Sequence, residues 1–281
     1  MCVFFTKINR NILWLFVFSL LGVGNVFAVE KFVVYDGTLY KNKPNLKPYG
    51  FLPVTIIYGQ EFWPAKKNMD SLPTKVNVSR IASKYKNMSN IQILDVEHWK
   101  LMSDFDVNSN LSKYLQILRW YKSSAPRNQV GYYGLPIGRD YWRSISSKDS
   151  DQYKEWQKEN DRIINLAREV DISFPSLYTF FNDPDRWVQY AIENIKESRR
   201  INPGKPVYPF IWPQFHDSSF LLKGKYIPAD FWRLQLDTIR QHADGVVIWG
   251  GWDVVSTNKP IAWDGNAEWW KVTKQFLAEQ Q

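Results

Sequence analysis

Asn90-Ile91-Gln92-Ile93-Leu94-Asp95-Val96-Glu97-His98-Trp99 reads as a β-strand that ends in acids. Over Ile91 to Val96, side chains two apart point to the same side of a strand. Asp95 and Glu97 therefore share one face at the strand's C-terminal end. Similar β-rich runs lie at 32–35, 54–58, 129–133, 171–174 (continuing toward Tyr178), 207–212 and 246–249. Helical patterns fall between them, at 110–121, 151–168, 184–199 and 229–242. In 110–121 the residues Leu111, Tyr114, Leu115 and Leu118 form one face, and Asp183-Pro184 is a cap followed by Pro at the first helical position. The segments 38–53 and 144–149 read as loops. Strands alternating with helices argue for a parallel sheet, and the expectation is a single (β/α)7–8 TIM-like barrel of α/β class. Active sites of such barrels stand at the C-terminal ends of the strands.

The chain has 281 residues, and its start reads as a signal peptide rather than as part of the fold. Lys7 and Arg10 precede the apolar run Ile12 to Leu21, and Val26-Phe27-Ala28 supplies small residues for cleavage near Ala28. The run falls short of the ~20 residues of a membrane-spanning helix, although an uncleaved anchor is the alternative. Residues 29–281 suit one barrel domain of roughly 250 residues. The expectation is a secreted or periplasmic protein with no membrane span in the mature chain.

The formal net charge is +8, and the signal segment carries only two of the basic residues. A basic exported protein can be drawn to a polyanion, although ordinary solubilising charge gives the same balance. No basic run, zinc-finger spacing or RNA-binding aromatic motif points to nucleic acid. The single cysteine, Cys2, lies before the apolar run, and His98, His216 and His242 are scattered, so neither a metal site nor a cofactor is expected. Aromatic residues make up 16% of the chain. Trp63, Trp99, Trp142, Trp212, Trp249, Trp252 and Trp263 fall near strand ends and loops. For each alone the core is the better explanation; together they suit the flat apolar faces of sugars.

Two carboxyls at neighbouring same-face positions repel when both are ionised, so one keeps its proton to higher pH. A glycosidase needs such an acid to protonate a leaving oxygen. A bare D-x-E is better explained as a helix cap or an ion pair, and only its neighbours along the chain shift the balance. With them the sequence resembles the animal-type hyaluronidases. Their D-x-E followed by Trp is matched by Asp95-Val96-Glu97-His98-Trp99, and their Y-G-x-P by Tyr133-Gly134-Leu135-Pro136. Their P-S-x-Y is matched by Pro175-Ser176-Leu177-Tyr178, and their G-x-x-I-W-G by Gly245 to Gly250. The run 207–212 stands where that family has another aromatic strand. The likeness extends over roughly residues 90–253.

The resemblance implies a glycoside hydrolase acting on an N-acetylhexosamine polysaccharide, which could be anionic. In that family the sugar's own acetamido oxygen attacks the anomeric carbon, a departure from the two-carboxylate scheme. Carried over, Glu97 is the general acid and then the base, and Asp95 steadies the acetamido group. Tyr133 and Tyr178 hydrogen-bond around the ring, Trp249 walls the pocket, and Trp212 and Asp253 complete the substrate-binding set. Departures are the missing disulfides, Leu135-Pro136-Ile137-Gly138-Arg139-Asp140 where the family is rich in Cys, Asn and Tyr, and Gly251-Trp252-Asp253 after the last strand. They line the substrate groove and bear on which polysaccharide is taken. A muramidase-like barrel acting on peptidoglycan is the alternative enzyme, and an exported non-catalytic sugar-binding barrel is the alternative from another class.

Overall fold

Alternation of strand and helix runs through the computed structural model, which describes residues 32–64, 68–101 and 103–280. The signal-peptide expectation for residues 1–28 lies outside the described residues. The strands are β1 (Val33–Thr38), β2 (Phe51–Pro53), β3 (Thr55–Tyr58), β4 (Ile91–Asp95), β5 (Gln129–Tyr132), β6 (Phe210–Ile211) and β7 (Gly245–Gly250). Every pairing between them is parallel.

Followed in space, the pairings return to their start. β1 lies between β7 and β2. β2 runs on through Val54 into β3, which pairs with β4, and β4 pairs with β5. Beyond β5 the segment 173–176 stands in for a strand, through the parallel bridges Tyr133↔Phe174, Ser173↔Val207 and Ser176↔Phe210. β6 then pairs with β7. The result is a (β/α) barrel, as the alternation leads one to expect. Three details differ from the sequence reading, the first being that the 207–212 run forms a strand only at Phe210–Ile211. The 171–178 segment is held by single bridges rather than a continuous ladder, because Pro175 cannot donate a ladder hydrogen bond. And 38–53 is not all loop, since Phe51–Pro53 pairs with β1.

Helices α1 (Gly59–Phe62), α2 (Lys75–Tyr85), α3 (Asp104–Ser124), α4 (Tyr141–Ser144), α5 (Asp151–Asp161), α6 (Ile164–Glu169), α7 (Pro184–Ile201), α8 (Ala229–His242) and α9 (Glu268–Ala278) fill the connections and the C-terminus. α3 starts on a reciprocal capping box between Ser103 and Asp106, and α7 on an Asp183 cap with Pro184 in its first turn. The stretch 151–168 is two helices, α5 and α6, broken at 162–163. The sequence reading leaves α2 and α9 unassigned; α9 buries Trp269, Trp270, Thr273, Phe276 and Leu277 on one face.

Strand alternation sorts the core into two kinds. Tyr35, Ile91, Ile93, Ile172, Phe174, Phe210 and Val247 pack together inside the barrel. From the other face of β4, Leu94 and Val96 pack outward with Val78 and Ile81 of α2 and with Tyr114, Ile117 and Leu118 of α3. On that outward face Gln92 sits between the helices, donating to the Tyr85 carbonyl at 2.8 Å and accepting from Tyr121 Oη. Gly131 in β5 is where the barrel wall is tightest. A Cβ there would collide with the Ile172 carbonyl oxygen and stand 2.8 Å from the Phe174 ring. Gly131→Ala is expected to destabilise the fold by about 1–3 kcal/mol, the usual cost of an extra methyl in a packed interior. Urea unfolding checks this, and an unchanged midpoint would show that β5 and the 173–176 segment can separate freely.

Candidate active site

The inward column of β4 is Ile91, Ile93, Asp95, and the next side chain in that sequence of alternate positions is Glu97. The period of two thus carries an apolar column straight into a pair of acids at the C-terminal mouth of the barrel. Asp95 lies deep, with Oδ1 enclosed and, among the described residues, without a hydrogen-bond partner. Glu97 stands above it, open to the cleft.

Both lie against a cavity of about 190 Å³. Tyr133, Tyr178, Phe210, Trp212, His216, Asp217 and Trp249 line it too. Each wall comes from a strand end or the loop after it: Tyr133 follows β5, Tyr178 follows the 173–176 segment, Trp212 follows β6, and Trp249 closes β7. The aromatic walls hold one another. Tyr178 lies 5.9 Å from Tyr133, 5.7 Å from Trp212 and 6.0 Å from Trp249, and Trp212 meets Trp249 edge to face at 4.9 Å. Polar pins fix their orientation. Tyr133 Oη and Ser176 Oγ share a hydrogen bond of 3.0 Å, Trp249 Nε1 donates to Tyr58 Oη at 3.3 Å, and Trp212 Nε1 donates to Gln214 at 3.1 Å. A second cavity of about 220 Å³ adjoins on the far side of Glu97. Glu97 and Tyr133 line both cavities, whereas Asp95 lines only the first.

The electrostatics follow from enclosure. Burial pushes the Asp95 carboxyl up to about 8, helped by the Glu97 charge and by a side-chain hydrogen bond with Glu97. Glu97 is raised as well, first by loss of solvation within the cleft. The positive charge of Arg139 pulls it back down and the charge of Asp217 pushes it up. Burial, then the charge of Arg139, holds His216 down to about 4, so its ring is neutral at ordinary pH. The acid pair therefore retains a proton near neutrality. A pair holding one shared proton, under an aromatic-walled pocket, can protonate a leaving oxygen with one member while the other carries negative charge.

The structure brings together Asp95, Glu97, Tyr133, Tyr178, Trp212 and Trp249. It places Asp253 elsewhere. That carboxylate accepts from the backbone N–H of Val255, Ser256 and Thr257 and from the hydroxyls of Ser256 and Thr257, which holds its pKa well below the usual range. Asp253 caps the turn at 253–257; the cavity wall there is Val254. Of the other strand-end tryptophans, Trp63 and Trp99 are buried against each other at 5.1 Å, and Trp263 packs on Tyr40, Trp269 and Trp270. Sequence reasoning did not single out Tyr58, Arg139, Ser176, His216 or Asp217. Tyr58 and Ser176 carried a usable signal, being a strand end and part of a quoted motif. His216 and Asp217 sit in an irregular loop with none.

Comparison with known proteins follows the same line. No family model matches the chain. The salivary hyaluronidase of Lutzomyia longipalpis is 26% identical over 157 residues, which cover 52% of this chain and 38% of that protein. Bee venom hyaluronidase superposes with a TM-score of 0.61 at 18% identity, over 88% of this chain and 96% of that one. The chain is a distant hyaluronidase-like relative. The bee venom enzyme in complex with a hyaluronic acid tetramer gives 0.61 at 17% identity, over 78% of this chain and 90% of that one. An endo-1,4-beta-D-mannanase from Thermotoga petrophila gives 0.52 at 14% identity, over 83% and 76%. At these identities the solved structures share the barrel, and the chain spans well under two thirds of its curated relative.

The raised acid pair makes a stability prediction. A carboxyl that titrates near 8 in the fold and near its ordinary 3.8 in the unfolded chain binds more protons folded than unfolded across that window. The native state therefore loses stability as pH rises from about 4 toward 8. Asp95→Asn removes that ionisation, so the variant should melt higher than the parent at pH 8 and show a flatter pH response. Parallel melting curves for the two proteins at pH 5 and pH 8 would show that Asp95 ionises without cost.

Proposed function

We propose that this chain is an exported glycoside hydrolase that cuts an N-acetylhexosamine-containing polysaccharide by substrate-assisted, configuration-retaining hydrolysis. The observation that carries the reading is the enclosed Asp95–Glu97 pair, on one face of β4, beneath aromatic walls of a size suited to a single sugar ring. The kinship with hyaluronidases supports the same reading. Export is supported by the charged, apolar and small-residue order of residues 1–28.

In this mechanism the sugar with the acetamido group fills the Asp95 cavity. Its carbonyl oxygen attacks the anomeric carbon as the bond to the leaving oxygen breaks, and Glu97 gives its proton to that oxygen. The one proton that the pair shares sits on Glu97 as the bond breaks, which leaves Asp95 ionised to steady the positive charge that develops on the acetamido group. Water then attacks the anomeric carbon from the vacated side, Glu97 takes back a proton, and the acetamide re-forms. Two inversions give net retention. Acids two apart on one strand approach the sugar from the same side, whereas a protein nucleophile must face the bond from opposite the acid. The remaining carboxylate of the cavity, Asp217, is held 3.0 Å from His216 Nδ1 and its side chain is 52% exposed.

Incubation with hyaluronan, chondroitin, chitin and peptidoglycan, with products read by mass spectrometry, tests the reading. Cleavage at an N-acetylhexosamine linkage is expected. Cleavage of peptidoglycan alone would favour a muramidase-like activity, and binding without products a non-catalytic barrel. On the best substrate, Glu97→Gln should fold normally and lose about two to four orders of magnitude in turnover. Near-normal turnover would remove Glu97 from the chemistry. Asp95→Asn should keep binding and slow the chemical step, and the first-formed product should retain its anomeric configuration. A thiazoline mimic of the cyclised intermediate should inhibit. Trapping of a glycosyl ester on Asp217 would instead establish a two-carboxylate mechanism.

A further inference from the structure

Arg139 stands beside the acid pair without a carboxylate of its own. It belongs to the segment after β5 and lines the second cavity together with Glu97. Among the described residues it has no ion pair or hydrogen bond, and its guanidinium lies over the Phe180 ring at 5.1 Å from the centroid. The other arginine of that cavity is fully engaged: Arg143 meets Asp140 and Glu159, each at 2.6 Å. Phe180 is itself fixed, 4.7 Å from the His216 ring. A guanidinium stacked on a fixed ring loses little freedom and keeps its N–H edge available, in the planar fork that matches carboxylate or sulfate oxygens.

The two cavities also have an order. A proton donor stands over the bond it cleaves, and Glu97 borders both. The sugar steadied by Asp95 occupies the first cavity, so the departing unit lies in the second, on the Arg139 side.

We propose that Arg139 is the anion-recognition residue of the leaving-group side, binding the carboxylate of a uronate or the sulfate ester of a sulfated sugar in the unit beyond the scissile bond. This deepens the glycosidase reading and rests on it. It assigns a specificity role to a residue in the segment where the chain departs from the hyaluronidase pattern. Because Arg139 is exposed, its contact with an anion should be sensitive to salt.

The test uses the Glu97→Gln protein, so that ligands stay intact, and compares it with Glu97→Gln carrying Arg139→Gln or Arg139→Lys. Calorimetry measures binding of hexasaccharides of hyaluronan and of chondroitin sulfate, each intact and with its carboxylates reduced to alcohols, and of a neutral chitin hexamer. Arg139→Gln should weaken the intact acidic ligands by about tenfold, the scale of a charge-assisted hydrogen bond, and flatten their salt dependence. Arg139→Lys should recover part of the loss. Loss of the Arg139 effect on carboxyl reduction identifies the carboxylate as the bound group; its survival in carboxyl-reduced chondroitin sulfate identifies the sulfate. Equal weakening of the chitin hexamer, or unchanged binding of every acidic ligand, overturns the assignment. If the wild-type protein nevertheless cleaves one of these polymers, only the Arg139 role falls. If it neither binds nor cleaves any of them, nor peptidoglycan, the glycosidase reading falls and this one with it.

Discussion

The site depends on one constraint, the strict alternation of β4. Ile91 and Ile93 belong to the apolar interior of the barrel, and the same parity delivers Asp95 to the end of that column. A carboxyl in such a place is stable only if it keeps its proton or meets a cation, and among the described residues its enclosed Oδ1 has no partner. Its neighbour in parity is another acid. The fold thus forces two carboxyls into one low-polarity mouth, where together they hold a proton that isolated acids would release several pH units lower. A shift of register by one residue would place Leu94 and Val96 in the mouth and bury Asp95 against α2 and α3.

The aromatic walls contribute in two ways. They lower the polarity around the acids, and they form a rigid pocket, because each ring packs on a ring neighbour and Tyr133, Trp212 and Trp249 also carry a polar pin. Tyr178 touches Tyr133, Trp212, His216 and Trp249. Those neighbours derive from three separate strand ends, after β5, after β6 and at β7, so the pocket exists only when the barrel is assembled. Stability of the barrel and shape of the pocket are therefore one property. Gly131 belongs to both, because the absence of its side chain lets Phe174 lie against β5 beneath Tyr133.

The alternation of strands with helices, the barrel and the same-face acids were legible because period two and period 3.6 are local properties of sequence. Length and order then leave few topologies open. α8 occupies 229–242, the span its pattern marks out. What escaped notice has physical reasons. β2 is only Phe51–Pro53, too short to show a period. α2 is polar over most of its length and buries only Val78, Ile81 and Ala82. His216 and Asp217 reach the cavity through an irregular loop whose path is set by tertiary contacts such as His216 N–H to the Thr179 carbonyl at 2.8 Å. No local pattern encodes such a contact.

Asp253 and Arg139 show why a charged residue in a loop near a cleft cannot be assigned by type and position alone. Both lie in segments where the sequence departs from the hyaluronidase pattern. The difference between them is hydrogen-bond accounting, which only the structure supplies. Asp253 has both oxygens occupied by donors of its own turn, so a substrate group would have to displace satisfied bonds at no gain. Arg139 offers its fork to the cleft with only a ring behind it. Asp95 is the acidic counterpart, with Oδ1 enclosed and unpartnered within a cavity. Protein interiors seldom leave such groups unmatched. In the proposed reading this enclosed oxygen and the exposed Arg139 fork stand on either side of Glu97 and mark the course of a ligand: Asp95 would meet the acetamido sugar, Glu97 the bond, and Arg139 the unit that departs.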